Sequence, residues 1–415
     1  MRYFLRTLTV MLALHGASGF AVAQQPPAPA AEPGAGTPEA RQGPAVPPPA
    51  LPRPFVRRAP APTPAGPHAP PDAPLSADGV ATLGMMTGGI SGTYIQIGSD
   101  VAAVASSDTL RVVPMIGKGS LQNLADLLNL RGVDLALVSA DSARSAEATR
   151  LYPDLRSRVH YIAKLFDQEV HFLAGMDVYT VADLADKTVN VDVVGSGSAV
   201  TASAVFDSMH IPVKLAHDIP AVALEKLKRG EIAALVYTPA KPNRLFTSIP
   251  PNSGLHLLQL PVSEALLDTY VPAKFTHADY PSLVPEGEDV ETWAVPVLLT
   301  AYNWPAGTTR YKNLAAFTDL FFSHLPDLQH PPFHEKWHDV NIQATVPGWT
   351  RAPYAQRWLD RSGVQSPIAS SAPVATGFEK EAFNEWAAGI GLTKMTPVQN
   401  AQLFSLWRLR QGRQQ

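Results

Sequence analysis

Three short turns combine glycine with hydroxyl side chains, and each follows an apolar run of strand length. The first turn contains Thr87, Gly88, Gly89, Ser91, Gly92, Thr93 and Tyr94. The second contains Lys118 and Ser120, and the third contains Gly195, Ser196, Gly197 and Ser198. Glycine lets backbone N–H groups approach a ligand, and each hydroxyl adds a further donor. Because helix N-termini favour anions, the turns predict a binding site for a small anion.

The spacing of the glycines argues against nucleotides as ligands. A P-loop requires glycine, four residues, and then Gly-Lys followed by Ser or Thr. Here Gly119 follows Lys118, and no glycine lies five positions before Gly117. A dinucleotide fingerprint needs three spaced glycines after a strand, and neither the turn at Thr87 nor the turn at Gly195 has that spacing. The sequence therefore predicts a ligand other than a nucleotide.

A His-Glu-x-x-His motif spans residues 334–338. On an α-helix it would place His334 and His338 on one face to bind zinc, with Glu335 as a base. A proline pair lies just upstream and an extended Val-Asn-Ile run just downstream, so we expect surface histidines on a short helix. No nucleophile is paired with a base elsewhere. We therefore expect no catalytic residues, no metal site and no cofactor, and a protein that is not an enzyme.

The turns need a scaffold that brings the ends of strands together. Apolar runs at 80–85, 110–116, 133–139, 188–194 and 232–237 alternate with helical patterns. That alternation predicts an α/β fold with parallel sheets. Ligands of open α/β sheets bind beyond the carboxyl ends of the strands, so we expect the three turns to meet in one cleft.

The composition limits the class of partner. The chain has 415 residues, of which 46% are hydrophobic and 17% charged, so it can bury a substantial core. Its net charge of −3 provides no basic surface for phosphate groups, so no nucleic acid is expected. Cysteine is absent, which rules out disulfides, thiolate metal sites and a cysteine nucleophile. We expect a monomer with a small-molecule ligand.

The N-terminal region predicts export. Residues 1–23 form a predicted signal peptide, in which Arg2 and Arg6 precede an apolar core and small residues allow cleavage after Ala23. The alternative is a membrane anchor, but polar and glycine residues interrupt the apolar run before the roughly 20 residues that a span requires. Residues 24–79 are rich in Pro and Ala and predict a disordered, extended linker, or alternatively a recruitment sequence for a proline-binding domain. The expected location is the periplasm.

The order of these motifs resembles the TAXI-type solute receptors of the TRAP (tripartite ATP-independent periplasmic) transporters. Residues 87–94 are similar to the first glycine-rich ligand loop of that family, and residues 117–124 to its second. Residues 133–141 resemble a strand that ends in polar side chains, and residues 195–198 resemble a Gly-Ser-Gly-Thr loop. Residues 295–299 resemble the strand that returns from the second lobe.

The resemblance implies a two-lobed α/β architecture, the type II periplasmic-binding-protein fold. Lobe I is then expected at 80–170 and 293–362, and lobe II at 171–292. Residues 363–415 are predicted to form a linker and a short helical C-terminal extension. The resemblance also implies an amino-acid or dicarboxylate-like ligand, closure of the cleft on binding, and delivery to membrane permease subunits encoded elsewhere.

Two positions depart from the family pattern. Ser139 stands where the family has Gln and Ala140 where it has Ser, whereas Asp141 matches and is expected to hold an amino group or a hinge. We add Ser139 and Asp141 to the predicted ligand-binding residues, together with Tyr237 on the apolar side and Lys241 as a source of charge. The alternative function is a periplasmic ligand sensor or interaction protein that reuses the same fold.

Overall fold

Two β-sheets with helices packed on their faces form the scaffold. The computed structural model describes residues 79–148, 150, 152, 154–261, 263–363, 377–389, 400, 403, 404 and 407. These residues all belong to the unit Gly66–Gln415. The predicted signal peptide, the predicted linker up to residue 78 and much of the predicted extension at 363–415 lie outside the described residues.

The helices and strands follow one another in an alternating order. The first part of the chain contains β1 (Ala81–Met86), α1 (Thr93–Ala105), β2 (Leu110–Met115), α2 (Ser120–Asn129), β3 (Leu135–Ser139), α3 (Ser142–Ala148), α4 (Leu155–Arg158) and β4 (Val159–Glu169). The second contains β5 (His171–Ala174), β6 (Thr188–Asn190), α5 (Gly197–Met209), β7 (Lys214–Ala216), α6 (Pro220–Lys228), β8 (Ala234–Tyr237), α7 (Arg244–Thr247) and β9 (His256–Leu257). The last contains β10 (Val271–Thr276), β11 (Asp289–Tyr302), α8 (Thr309–Ser323), α9 (Leu325–Leu328), α10 (Pro353–Ser362) and α11 (Gly377–Gly389). Short 3-10 helices cover Val181–Leu184, Glu264–Leu266 and Glu335–Asp339.

Both sheets have the same strand order. The first sheet runs β2-β1-β3-β11-β10, with β4 also paired with β11, and the second runs β7-β6-β8-β5-β9. In each, a central strand is parallel to two neighbours, and a strand arriving from the other lobe inserts antiparallel to the third strand. The sheets are therefore mixed rather than wholly parallel. This order is that of the type II periplasmic-binding-protein fold, and the predicted fold class is confirmed.

The chain passes between the sheets through two extended segments. We call the part around the first sheet lobe I and the part around the second sheet lobe II. Only Val170 separates β4 of the first sheet from β5 of the second. On the return, Trp293 packs in a core cluster of lobe II and Val297 in one of lobe I, so β11 is shared between the lobes. The lobe boundary predicted between residues 292 and 293 lies inside this strand.

Each lobe buries apolar side chains on both faces of its sheet. In lobe I one face packs against α1 and α8 and the other against α2 and α3. In lobe II one face packs against α5 and the other against α6 and α7. No helix among the described residues is long and apolar enough to cross a membrane.

The end of the chain contributes to both cores. Helix α10 packs in lobe I through Ala355 and Leu359. Phe383 of α11 and Trp407 are buried in the lobe II core beside α5, with their rings 6.0 Å apart. Burial of aromatic rings on this scale stabilises a fold by a few kcal/mol, about 3–5 for a ring lost to Ala. The described part of the extension therefore forms a layer of lobe II.

Candidate functional site

A cleft lies between the lobes at the carboxyl ends of their central strands. Lobe I contributes the turns after β1 and β2 and the end of β4, and lobe II contributes the turns after β6 and β8. The cavity within the cleft has a volume of about 60 Å³, which leaves room for several water molecules or a small solute. Its lining residues are Gly88, Gly89, Gly92, Thr93, Tyr94, Lys118, Gly119, Ser120, Gln168, Asp192, Ser196, Gly197, Ser198, Tyr237, Thr238 and Pro239.

Three helices of eight residues or more begin at this cleft. Helices α1 and α2 have glycines at their N-caps, Gly92 and Gly119, so no side chain caps their first turns. Gly119 has φ +98°, a conformation that glycine adopts without strain. Helix α5 enters from lobe II after Ser196, which accepts a hydrogen bond from the Ala199 N–H at 3.1 Å. The positive ends of helix dipoles from both lobes therefore face the same space.

Two hydroxyls of lobe I are held as donors toward the cleft. Ser120 Oγ accepts a hydrogen bond from the Ser139 N–H at 2.9 Å. Thr93 Oγ1 accepts one from the Ala240 N–H at 3.1 Å. Each hydroxyl has a single hydrogen, and accepting a backbone N–H leaves that hydrogen for another acceptor. This arrangement suits the oxygens of a carboxylate.

Lobe II supplies a matching pair of hydroxyls. Ser198 Oγ accepts from the Thr238 N–H at 3.1 Å and lies 2.9 Å from Thr238 Oγ1. Since only one hydrogen is needed between the two oxygens, the other hydrogen remains for a ligand. Burial raises the pKa of Tyr94 and of Tyr237, so both phenols stay protonated. The Tyr94 hydroxyl lies 3.4 Å from Ser120 Oγ, so one hydrogen joins this pair and the other remains for a ligand.

The cleft carries one side chain of each charge. Lys118 is exposed, and its ammonium has no hydrogen-bond or ion-pair partner among the described residues. Asp192 is 8% exposed. Burial raises its pKa to about 6, against the opposing effects of hydrogen bonds from the Val193 N–H and the Ser196 hydroxyl. Charges of both signs therefore border the ligand space.

The lobes touch one another around the cleft, so the structure is a closed state. The Gln122 N–H of α2 donates to the Gly195 carbonyl of lobe II at 3.1 Å. Asp141 Oδ2 of lobe I accepts from Thr201 Oγ1 of α5 at 2.7 Å and from the Tyr270 hydroxyl at 2.8 Å. These bonds join groups on opposite lobes, so they break when the lobes separate.

Six predicted ligand-binding residues lie outside the lining, namely Thr87, Ser91, Ser139, Asp141, Gly195 and Lys241. Thr87 is buried and its hydroxyl donates to the Met115 carbonyl at 2.8 Å. Ser91 is exposed to solvent. Ser139 Oγ donates to Asp141 Oδ1 at 2.5 Å. The side chains of Thr87 and Ser139 therefore bond to protein groups at the edge of the sheet, and that of Ser91 faces solvent.

Asp141, Gly195 and Lys241 have partners within the protein. Asp141 accepts hydrogen bonds from the hydroxyls of Ser139, Thr201 and Tyr270, and the last two join it to lobe II. Gly195 contributes its carbonyl to closure, as described above. The Lys241 ammonium bonds the Lys274 carbonyl at 2.6 Å and lies 3.0 Å from Asp279 Oδ2, away from the cleft.

The structure adds five lining residues to the predicted ones, namely Gly119, Gln168, Asp192, Thr238 and Pro239. Asp192, Thr238 and Pro239 follow β6 and β8, so their position just after apolar strands was an available signal. Gly119 lies within a predicted turn. Gln168 is in the crossing strand β4, and nothing in the local sequence distinguishes it.

The His-Glu-x-x-His motif forms a 3-10 helix of five residues, Glu335–Asp339, after His334. Lys336 of this motif is buried and its ammonium lies 2.9 Å from Glu169 Oε1. The Trp337 indole is also buried and donates to Asp100 at 2.8 Å. Within the described part of the chain, no group of three or more His, Cys, Asp or Glu residues is placed to hold a metal ion. The motif therefore anchors the segment after α9 to the crossing strand.

The class defined by this fold and site is a two-lobed protein with a closed inter-lobe cleft. Residues 85–332 match the NMT1-like family. The match covers more than half of the 415-residue chain, and the chain belongs to that family.

Several solved structures share the architecture at low identity. A protein from Bordetella bronchiseptica RB50 is 11% identical with a TM-score of 0.44, with 68% of this chain and 98% of that chain covered. A mutant of ArgBP from T. maritima is 16% identical with a TM-score of 0.37, covering 63% and 95%. The GluR0 ligand-binding core from Nostoc punctiforme, in complex with L-glutamate, is 13% identical with a TM-score of 0.36, covering 62% and 99%. With TM-scores below 0.5, the fold assignment rests on the strand order instead.

Proposed function

We propose that this protein is a solute-binding protein that captures a small carboxylate-bearing solute, an amino acid or a dicarboxylate-like acid, between its lobes. The observation that carries the proposal is the convergence of donors from both lobes. The first turns of α1 and α2, which no side chain caps, face the start of α5, with Thr93 and Ser120 on one side and Ser198 on the other. A carboxylate held there contacts both lobes at once.

Closure follows from that geometry. In an open state the hydroxyls of Ser120 and Ser198 are separated with their lobes, and the inter-lobe bond of Gln122 is lost. A ligand that bridges the two sets of donors binds the closed state better than the open one. Such differential binding is what shifts a two-state equilibrium.

The proposal includes export to the periplasm and delivery of the solute to a membrane permease. Residues 1–23 would be removed after Ala23, and residues from 24 onward would act in the periplasm. The order of the turns at 87–94, 117–124 and 195–198 supports a receptor for a TRAP-type permease encoded elsewhere. The protein would bind and release its solute unchanged, without catalysis.

The alternative is a sensor or interaction protein, in which the proline-rich spacer and the extra C-terminal segment present the protein to a partner. Phe383 and Trp407 are buried in lobe II, which gives the described part of that segment a role in folding. We therefore favour the receptor.

A thermal unfolding screen tests the proposal. The mature protein, from Gln24 onward, would be heated with a panel of amino acids, dicarboxylates and keto acids. A ligand that binds only the folded state adds about 2.7 kcal/mol of stability at 100 times its Kd. We expect one acid to raise the unfolding midpoint.

The screen needs two variants. Ser198→Leu fills the ligand space and should abolish the shift. Ser99→Leu on the exposed face of α1 is the matched control and should leave the shift intact. No shift with any small acid in a well-folded preparation would contradict the receptor function.

A further inference from the structure

We propose that the solute held in the cleft is zwitterionic, with its carboxylate on the hydroxyl and helix-terminal donors and a cationic ammonium group on Asp192. This inference rests on the proposed function and narrows it from small acids in general to amino acids.

Asp192 lies on the lobe II side of the cleft and has an unusual backbone conformation. It follows β6 and has φ +68°, a left-handed conformation that L residues other than Asn and Asp rarely adopt. Its carboxylate accepts from the Val193 N–H and the Ser196 hydroxyl. A carboxylate has about four acceptor positions, so two remain, and the cleft is the space that Asp192 lines.

The charge of the lining favours a zwitterion over a diacid. Among the lining residues, Asp192 is the carboxylate and Lys118 the ammonium. A second carboxylate on the ligand would lie near the fixed charge of Asp192, and like charges in a desolvated site are strongly unfavourable. An ammonium group instead gains a charge-assisted hydrogen bond.

Tyr237 supports the same position for the ammonium group. Burial raises the pKa of the Tyr237 phenol, and the nearby negative charge of Asp192 raises it further. Both belong to lobe II, and both line the ligand space. The Asp192 carboxylate therefore borders the ligand space and can contact a bound ligand.

A purely structural role for Asp192 can be separated from ligand recognition. Its hydrogen bond from Ser196 helps fix the residue that caps α5. Asparagine keeps an oxygen acceptor for both existing donors, tolerates the same backbone conformation and removes only the charge. Asp192→Asn should therefore fold normally and lose the ion pair with an ammonium group.

The test is isothermal titration calorimetry at pH 7.5 with the mature protein, using each amino acid paired with the 2-keto acid that lacks its ammonium group. We expect an amino acid to bind and its keto acid partner to bind at least tenfold more weakly. Asp192→Asn should weaken amino-acid binding by roughly 10- to 100-fold. Asp186→Asn is the matched control, because Asp186 is an exposed lobe II aspartate that also has positive φ.

The outcomes separate this inference from the proposed function. A keto acid or dicarboxylate that binds as tightly as any amino acid would overturn the inference and leave the receptor function standing. The same holds if Asp192→Asn keeps wild-type affinity. If no small acid binds the folded protein, the proposed function fails and the inference fails with it.

Discussion

Replacing Gly197 by alanine should block closure of the cleft while leaving each lobe folded. A Cβ at Gly197 would lie 2.6 Å from Ser120 Oγ, 3.4 Å from Ser120 Cβ and 3.5 Å from Ser139 Oγ. Both serines belong to lobe I, so the clash exists only when the lobes meet. Ser120 Oγ cannot simply rotate away, because it accepts the Ser139 N–H at 2.9 Å.

The loss of ligand affinity in Gly197→Ala can be estimated from the cost of an extra methyl group in a packed contact. One extra methyl group in a tight contact costs about 1–3 kcal/mol, which corresponds to roughly 5- to 150-fold weaker ligand binding. Gly197 is the first residue of α5, and alanine favours a helix over glycine by about 1 kcal/mol. Gly197→Ala should therefore bind more weakly and yet unfold no earlier than wild type.

Two measurements check this combination. Calorimetry gives the affinity for the acid found in the thermal screen, and small-angle scattering shows whether the variant stays open when that acid is added. Gly175→Ala is the matched control in lobe II, since nothing lies within 4 Å of its added Cβ. Wild-type affinity in Gly197→Ala would refute the contact between Gly197 and Ser120 as part of the bound state.

Three further predictions concern stability. Lys336→Met leaves the buried Glu169 carboxylate without the Lys336 ammonium and should lower the free energy of unfolding in urea by about 3–5 kcal/mol. The added change Glu169→Gln should restore most of this loss, and an unchanged urea midpoint in Lys336→Met would contradict the ion pair. Phe383→Ala should lower the free energy of unfolding by about 3–5 kcal/mol, whereas Glu385→Ala on the exposed side of α11 should change it little. Equal effects of the two variants would contradict the packing of this helix on lobe II. The pKa of Asp192 is raised from 3.8 to about 6, so the folded protein binds this proton more tightly than the unfolded chain. Its contribution to stability should be fully present below pH 4 and lost as pH rises through about 6, a change of about 2–3 kcal/mol relative to Asp192→Asn; a difference that does not vary with pH would contradict this.

The sequence predicted the cleft where chemistry and periodicity coincide. Gly88, Ser120 and Gly197 each lie in a turn within four residues of the end of an apolar run, and the ends of central strands in an α/β sheet converge. The same reasoning could not locate Gln168, because it lies within a crossing strand, between Asp167 and Glu169, where no glycine or turn marks a ligand contact.

Orientation limited the prediction at charged positions. Asp141 and Lys241 have the residue types of ligand contacts and lie at the ends of β3 and β8. The Asp141 side chain instead bonds to Thr201, 60 positions away in the sequence, and the Lys241 side chain bonds to Asp279, 38 positions away. Such distant partners are set by tertiary packing, which local patterns do not encode.

The central claim is that donors from both lobes hold a carboxylate. The most direct measurement is a crystal structure of the mature protein with the acid found in the thermal screen. We expect a ligand carboxylate within about 3 Å of the hydroxyls of Ser120 and Ser198, with the lobes closed around it. A ligand bound outside this cleft, or one whose carboxylate faces away from both hydroxyls, would contradict the account.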